Sequence, residues 1–195
     1  MSFFKRSGPV EHIVIFLGNP GREYEETRHN AGFMTADVFA GTHNIKINRL
    51  KFSSLTALAT IGGKRVFLMK PQTYMNLTGG ALWQAMSFYK VPPERVIAVA
   101  DDVALPVGRL RIRRSGSAGG HNGLRDIIAK CGGEGFMRVK IGVGAVPEGY
   151  DMADWVLSKF RGEDEKIIKD AVKHAAAAVE SILLNGVDAA MGEYN

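Results

Sequence analysis

Residues 12–19 read HIVIFLGN, a run of β-branched and apolar side chains that stops at Asn19-Pro20-Gly21. A strand with one wet face alternates apolar with polar residues. This one does not, so it reads as a central strand covered on both faces. Such a strand needs helices above and below it, and the chain supplies them in alternation. After Asn19, either Thr27 or Asn30 can cap a helix whose buried face carries Ala31, Met34, Val38 and Phe39. Residues 54–61 and 65–69 are strand-like and joined by Gly62-Gly63, a hairpin signal, with Pro71 ending the second.

Helical spacing returns after Thr78-Gly79-Gly80, with Leu82, Met86, Phe88 and Tyr89, and Pro92-Pro93 closes it. Residues 96–100 form a second buried strand, ending at Asp101-Asp102. Residues 108–113 alternate, with Arg109, Arg111 and Arg113 on one face and Leu110 and Ile112 on the other. The glycine loop SGSAGGHNG leads into a helix over 124–130, and 137–143 is a further strand. A long helix over 163–184 closes the chain, with acids in its first turn and a stripe of Ile168, Ala171, Ala175, Val179 and Ile182; Asn185-Gly186 ends it. Strands alternating with helices predict an α/β fold: one domain over 1–195, with a mixed, mostly parallel twisted sheet flanked by helices.

The composition suits a globular chain of 195 residues: 46% hydrophobic and 23% charged. One cysteine, Cys131, excludes an internal disulfide and fits a reducing compartment. The five histidines form no HxH or HExxH pair, so a dedicated metal site is not expected. The apolar run near the N-terminus is too short for a secretory or membrane-spanning segment, which predicts a cytoplasmic protein with no membrane partner. Net charge is +5, unevenly spread. Residues 109–140 carry eight Lys/Arg against Asp126 and Glu134, whereas 151–195 carry five against nine acids. A basic middle beside an acidic tail points to a localised polyanion-binding surface.

In open α/β sheets, ligands collect beyond the carboxyl ends of the strands. Asn19, Tyr74, Asn76, Asp101 and the pair His121-Asn122 all fall just past strand ends, and His29 lies in the connection after the first strand. A neutral imidazole can deprotonate water, a nearby carboxylate can fix its tautomer, and carboxamides can donate to a carbonyl oxygen as it gains charge. There is no GxSxG elbow, so water activated by a histidine is favoured over a covalent nucleophile. The glycine loop exposes consecutive N–H groups at a helix start, a nest for phosphate, and the arginine row precedes it. Taken one at a time, these residues have plainer readings. His29 suits a cap or a surface position, Asn19 a turn former, Asn76 and Asn122 N-caps, and Tyr24 and Tyr74 core-edge aromatics. Two other functions use part of the pattern: a non-catalytic RNA- or nucleotide-binding module, and a peptidase-like amidase that needs no basic face.

Four stretches together, FLGNPGREYEETRHNAGF, KPQTYMNLTGGAL, DDVALPVGRLRIRRSGSAGGHNGLRDII and FMRVKIGVG, resemble the bacterial-type peptidyl-tRNA hydrolase family, in the family's order and within residues 13–144. The resemblance implies hydrolysis of the ester between a peptide and the terminal ribose of tRNA, by a cytoplasmic monomer without cofactor. It implies His29 as catalytic base and Asp101 as its orienting carboxylate, and Asn19 as the residue that separates N-blocked substrates from free aminoacyl-tRNA. Tyr24, Tyr74, Asn76 and Asn122 are implied to line the groove for peptide and 3′ end, and Arg113 and Lys140 to hold tRNA phosphate. Two positions depart from the family pattern. Phe16 stands where a glycine is usual, and Ala104 where a second acid is frequent, which leaves Asp101 or Asp102 to serve alone; Asp101 is the one in register.

Overall fold

A computed structural model describes residues 8–195; the expected domain over 1–195 therefore includes seven residues outside the described ones. The strands are β1 (His12–Phe16), β2 (Arg49–Lys51), β3 (Ser54–Ile61), β4 (Lys64–Pro71), β5 (Val96–Asp102), β6 (Leu110–Arg113) and β7 (Met137–Gly142). The helices are α1 (Ala31–Thr42), α2 (Thr78–Tyr89), α3 (Asn122–Lys130), α4 (Met152–Leu157), α5 (Glu163–Asn185) and α6 (Val187–Tyr194). The sheet order is β2-β3-β4-β1-β5-β7-β6. β1 pairs in parallel with β4 and β5, and β5 with β7, so the centre is parallel. Both edges are antiparallel: β2-β3-β4 on one side and β6 against β7 on the other.

The unbroken apolar run of β1 follows from its place. Val14 and Phe16 enter the core beneath α1, α5 and α6, and Ile13, Ile15 and Leu17 the core beneath α2 and α3. Phe16, where a glycine is usual, fills the first core against Phe39, their ring centroids 6.1 Å apart. The expected stripe of α5 is buried as well. α1 lies so close to the sheet that a Cβ on Gly32 would sit 2.4 Å from the Leu17 carbonyl oxygen and 2.6 Å from that of Val99.

The expected alternation holds: Arg109, Arg111 and Arg113 are exposed and Leu110 and Ile112 buried, although β6 itself begins at Leu110. Arg109 donates to the main-chain oxygen of Asn195, and Arg111 and Arg113 lie opposite Lys140 and Arg138 of β7. Other expectations need correction. Phe88 does not join the α2 core; it is exposed, with Lys51 Nζ 3.8 Å above its ring. The short strand β2 and the helices α4 and α6 were not foreseen. The long helix therefore does not close the chain: Gly186 ends α5 and leads into α6.

Candidate active site

The carboxyl ends of β1, β4 and β5 open onto one cavity of about 570 Å³, whose walls include Asn19, His29, Tyr74, Asn76, Asp101, His121, Asn122 and Lys140. The glycine loop and α3 form one side and the α4 segment the other.

At its base lies a carboxylate held between two imidazoles. His29 Nδ1 is 2.9 Å from Asp101 Oδ1 and 3.0 Å from Oδ2, and His121 Nε2 is 2.9 Å from Oδ1. The tautomers follow from the neighbours. His121 Nδ1 accepts from the N–H groups of Gly123 and Leu124, so its proton is on Nε2 and is donated to Asp101. His29 must likewise donate from Nδ1, which leaves Nε2 as its basic atom, without a hydrogen bond among the described residues. Burial pushes the His29 pKa down, but the charge and hydrogen bond of Asp101 outweigh it, and the net shift is upward. Burial would raise the Asp101 carboxyl; the His29 and His121 imidazoles overcome this and hold it well below the usual carboxylate range. Asp101 is thus an ionised acceptor for both rings.

Donor atoms of His29, Asp101 and His121 lie within 4.8 Å of one another, close enough to share a metal ion. His29 Nδ1 and His121 Nε2 are both engaged in N–H···O bonds to Asp101, so the set as arranged suits hydrogen bonding.

Asn19 is anchored by a device that the local sequence does not signal. Asn30 is at the N-cap of α1 but makes no cap bond. Instead its Oδ1 accepts the Asn19 N–H and its Nδ2 donates to the Asn19 carbonyl, both at 2.9 Å. Asn19 Oδ1 accepts the Met75 N–H at 2.8 Å, so the amide NH₂ is left to face the cavity. Asn122 Oδ1 accepts from Arg125 at 3.2 Å, which leaves its NH₂ as donor in the same way. Neither Asn76 nor Asn122 is an N-cap: Asn76 makes no side-chain bond among the described residues, and the cap of α3 is His121.

Arg28, next to the base, was also missed. It is buried, with its guanidinium 3.9 Å from the Trp155 ring centroid and 4.7 Å from that of Phe160. It donates to the Val143 carbonyl at 2.8 Å and pairs with Asp164 at 3.4 Å. This clamp fastens the α4 wall to the segment bearing His29. Nothing local marks Arg28 as buried, but Asp151 before MADWVL was a readable cap signal for α4, and it accepts from the N–H groups of Ala153 and Asp154.

One expected groove residue, Tyr24, and one expected phosphate contact, Arg113, stand apart from the cavity walls. Tyr24 meets Tyr74 edge-on, 6.5 Å between centroids, and Arg113 is exposed on β6. Asp102, the alternative carboxylate, does not reach His29; it pairs with Lys140 at 3.0 Å. Cys131 lies outside the cavity, and burial, with Asp126 nearby, pushes its thiol up to about 12, which makes it a poor nucleophile.

An α/β sheet with a histidine–carboxylate pair beneath a carboxamide-lined cavity defines a hydrolase-type site. The family model for peptidyl-tRNA hydrolase matches residues 13–195, and the chain belongs to that family. It is 50% identical to the peptidyl-tRNA hydrolase of Caldanaerobacter subterraneus subsp. tengcongensis, over 94% of this chain and 99% of that one. It is 47% identical to that of Lachnoclostridium phytofermentans, over 94% and 96%. The crystal structure of peptidyl-tRNA hydrolase from Acinetobacter baumannii superposes with a TM-score of 0.90 at 33% identity, covering 97% of each chain. No helix among the described residues is long and apolar enough to cross a membrane.

Proposed function

We propose that this chain cleaves the ester between an N-blocked aminoacyl or peptidyl group and tRNA, releasing the peptide and free tRNA, and that one α/β domain carries the whole activity. The observation that carries this reading is the His29–Asp101 contact, with Nε2 of the imidazole left free over the cavity. His29 Nε2 takes a proton from water, the water oxygen adds to the ester carbonyl, and Asp101 stabilises the imidazolium that forms. The proton then passes to the departing ribose oxygen. The Asn19 NH₂ donates to the acyl group, and Asn76 and Asn122 line the way to it. Selectivity for blocked substrates follows from solvation: a free α-ammonium is costly to desolvate among neutral carboxamides, an acylated nitrogen much less so. Tyr74, with Tyr24 against it, offers an aromatic face to the 3′ end, and Lys140 and Arg113 hold phosphate. The mechanism needs no metal. The enzyme works in the cytoplasm, as a monomer.

The test is release of an N-acetylated aminoacyl group from tRNA, with the unblocked form as control. His29→Ala should lower turnover by roughly 10²- to 10⁴-fold while tRNA binding stays near wild type. Turnover at the wild-type rate would remove His29 as the base.

A further inference from the structure

β5 ends in two successive carboxylates with different partners: Asp101 meets the imidazoles, and Asp102 meets Lys140. Asp102 Oδ2 accepts from Lys140 Nζ at 3.0 Å, and Oδ1 accepts the Ala104 N–H at 2.8 Å. The pair is well shielded, with 17% of the Lys140 side chain and 11% of that of Asp102 exposed, and both residues line the cavity. The ammonium lies under the glycine loop, 3.6 Å from where a Cβ on Gly119 would be. Gly119 and Gly120 both have positive φ, +57° and +84°. The other two acids of the cavity wall are committed within the protein, Asp101 to the imidazoles and Asp151 to the cap of α4. Asp102 instead engages a cation otherwise placed to meet a phosphate.

We propose that Asp102 is an internal anion that competes with tRNA phosphate for Lys140 and thereby loosens the enzyme's grip on tRNA. The proposal rests on the reading of Lys140 as a phosphate contact. A phosphate reaching Lys140 must share the ammonium with a carboxylate of its own sign, in a half-buried site where screening is weak. Asp102 is tethered through Ala104 and does not simply swing aside. Substrate and cleaved tRNA both bring that phosphate, so Asp102 loosens the grip on each of them and favours release of the product.

Asp102→Asn keeps an acceptor for the Ala104 N–H and removes the charge. In the full chain, the inhibition constant of uncharged tRNA should fall at least fivefold, and KM for N-acetylated aminoacyl-tRNA should fall with it. A folding defect weakens binding, so tightening is a signature that mere structural damage does not produce. An inhibition constant that rises or stays the same overturns the proposal. Lys140→Met tests the underlying reading separately: it should weaken binding of uncharged tRNA and reduce its salt dependence. If it changes neither, Lys140 is not a phosphate contact and the proposal falls with it. If it weakens binding while Asp102→Asn fails to tighten it, the proposal about Asp102 alone fails. In the Lys140→Met background, Asp102→Asn should tighten binding less than in the wild type; an equal gain would show that Asp102 does not act through Lys140.

Discussion

His29 presents a single N–H to both oxygens of Asp101, at 2.9 and 3.0 Å. The carboxylate thereby sets the tautomer of the base and raises its pKa above the ordinary imidazole value of 6.5. Only the neutral ring accepts a proton, so kcat/KM should rise with pH through a midpoint above 6.5. In Asp101→Asn the upward influence goes and burial remains. The midpoint should move to lower pH, and kcat should drop by roughly 10²-fold or more. A midpoint unmoved by this substitution would assign the profile to another group.

Asn30→Ala should act on stability and catalysis together. It leaves the N–H and carbonyl of Asn19 buried without partners, which costs about 1–3 kcal/mol for each unmet group. Chemical denaturation should show the loss. Single-turnover hydrolysis should slow as Asn19 loses its fixed position.

Gly32→Ala is expected to be among the most damaging small substitutions. The added methyl meets the main-chain oxygens of Leu17 and Val99, which cannot turn aside as a flexible side chain does. Overpacking of this kind costs about 1–3 kcal/mol, occasionally more. A thermal melt within a degree of wild type would mean that α1 shifts freely on the sheet.

Arg113 lies outside the cavity, so Arg113→Ala should spare the chemistry. KM should rise, and the slope of its logarithm against that of salt concentration should become shallower by about one unit. An unchanged slope would remove Arg113 from the tRNA footprint.

The core strands and the His29–Asp101 pairing were legible because their causes are local or repeated. A strand is apolar wherever both its faces are covered, as at residues 13–16 of β1 and 96–100 of β5, and strand ends collect ligand-facing residues. What escaped depends on contacts between distant segments. Asn30 sits where a cap belongs, and only the fold of the loop after β1 brings Asn19 to its side chain. His121 had no assigned role because neither its cap bonds nor its reach to Asp101 shows in the spacing of residues. Nothing near Arg28 in the sequence signals its burial, since the aromatic rings that cover it lie more than a hundred positions away. β2, three residues long, carries too little pattern to read.

Arg28 and His29 share a peptide bond, while the guanidinium of the first is gripped from the far wall by Trp155 and Phe160. The width of the slot and the aim of its imidazole are consequently one mechanical variable. Loosening that grip, even by a substitution at Phe160 well away from the reacting atoms, would reach the chemistry as a misdirected ring rather than as a lost charge.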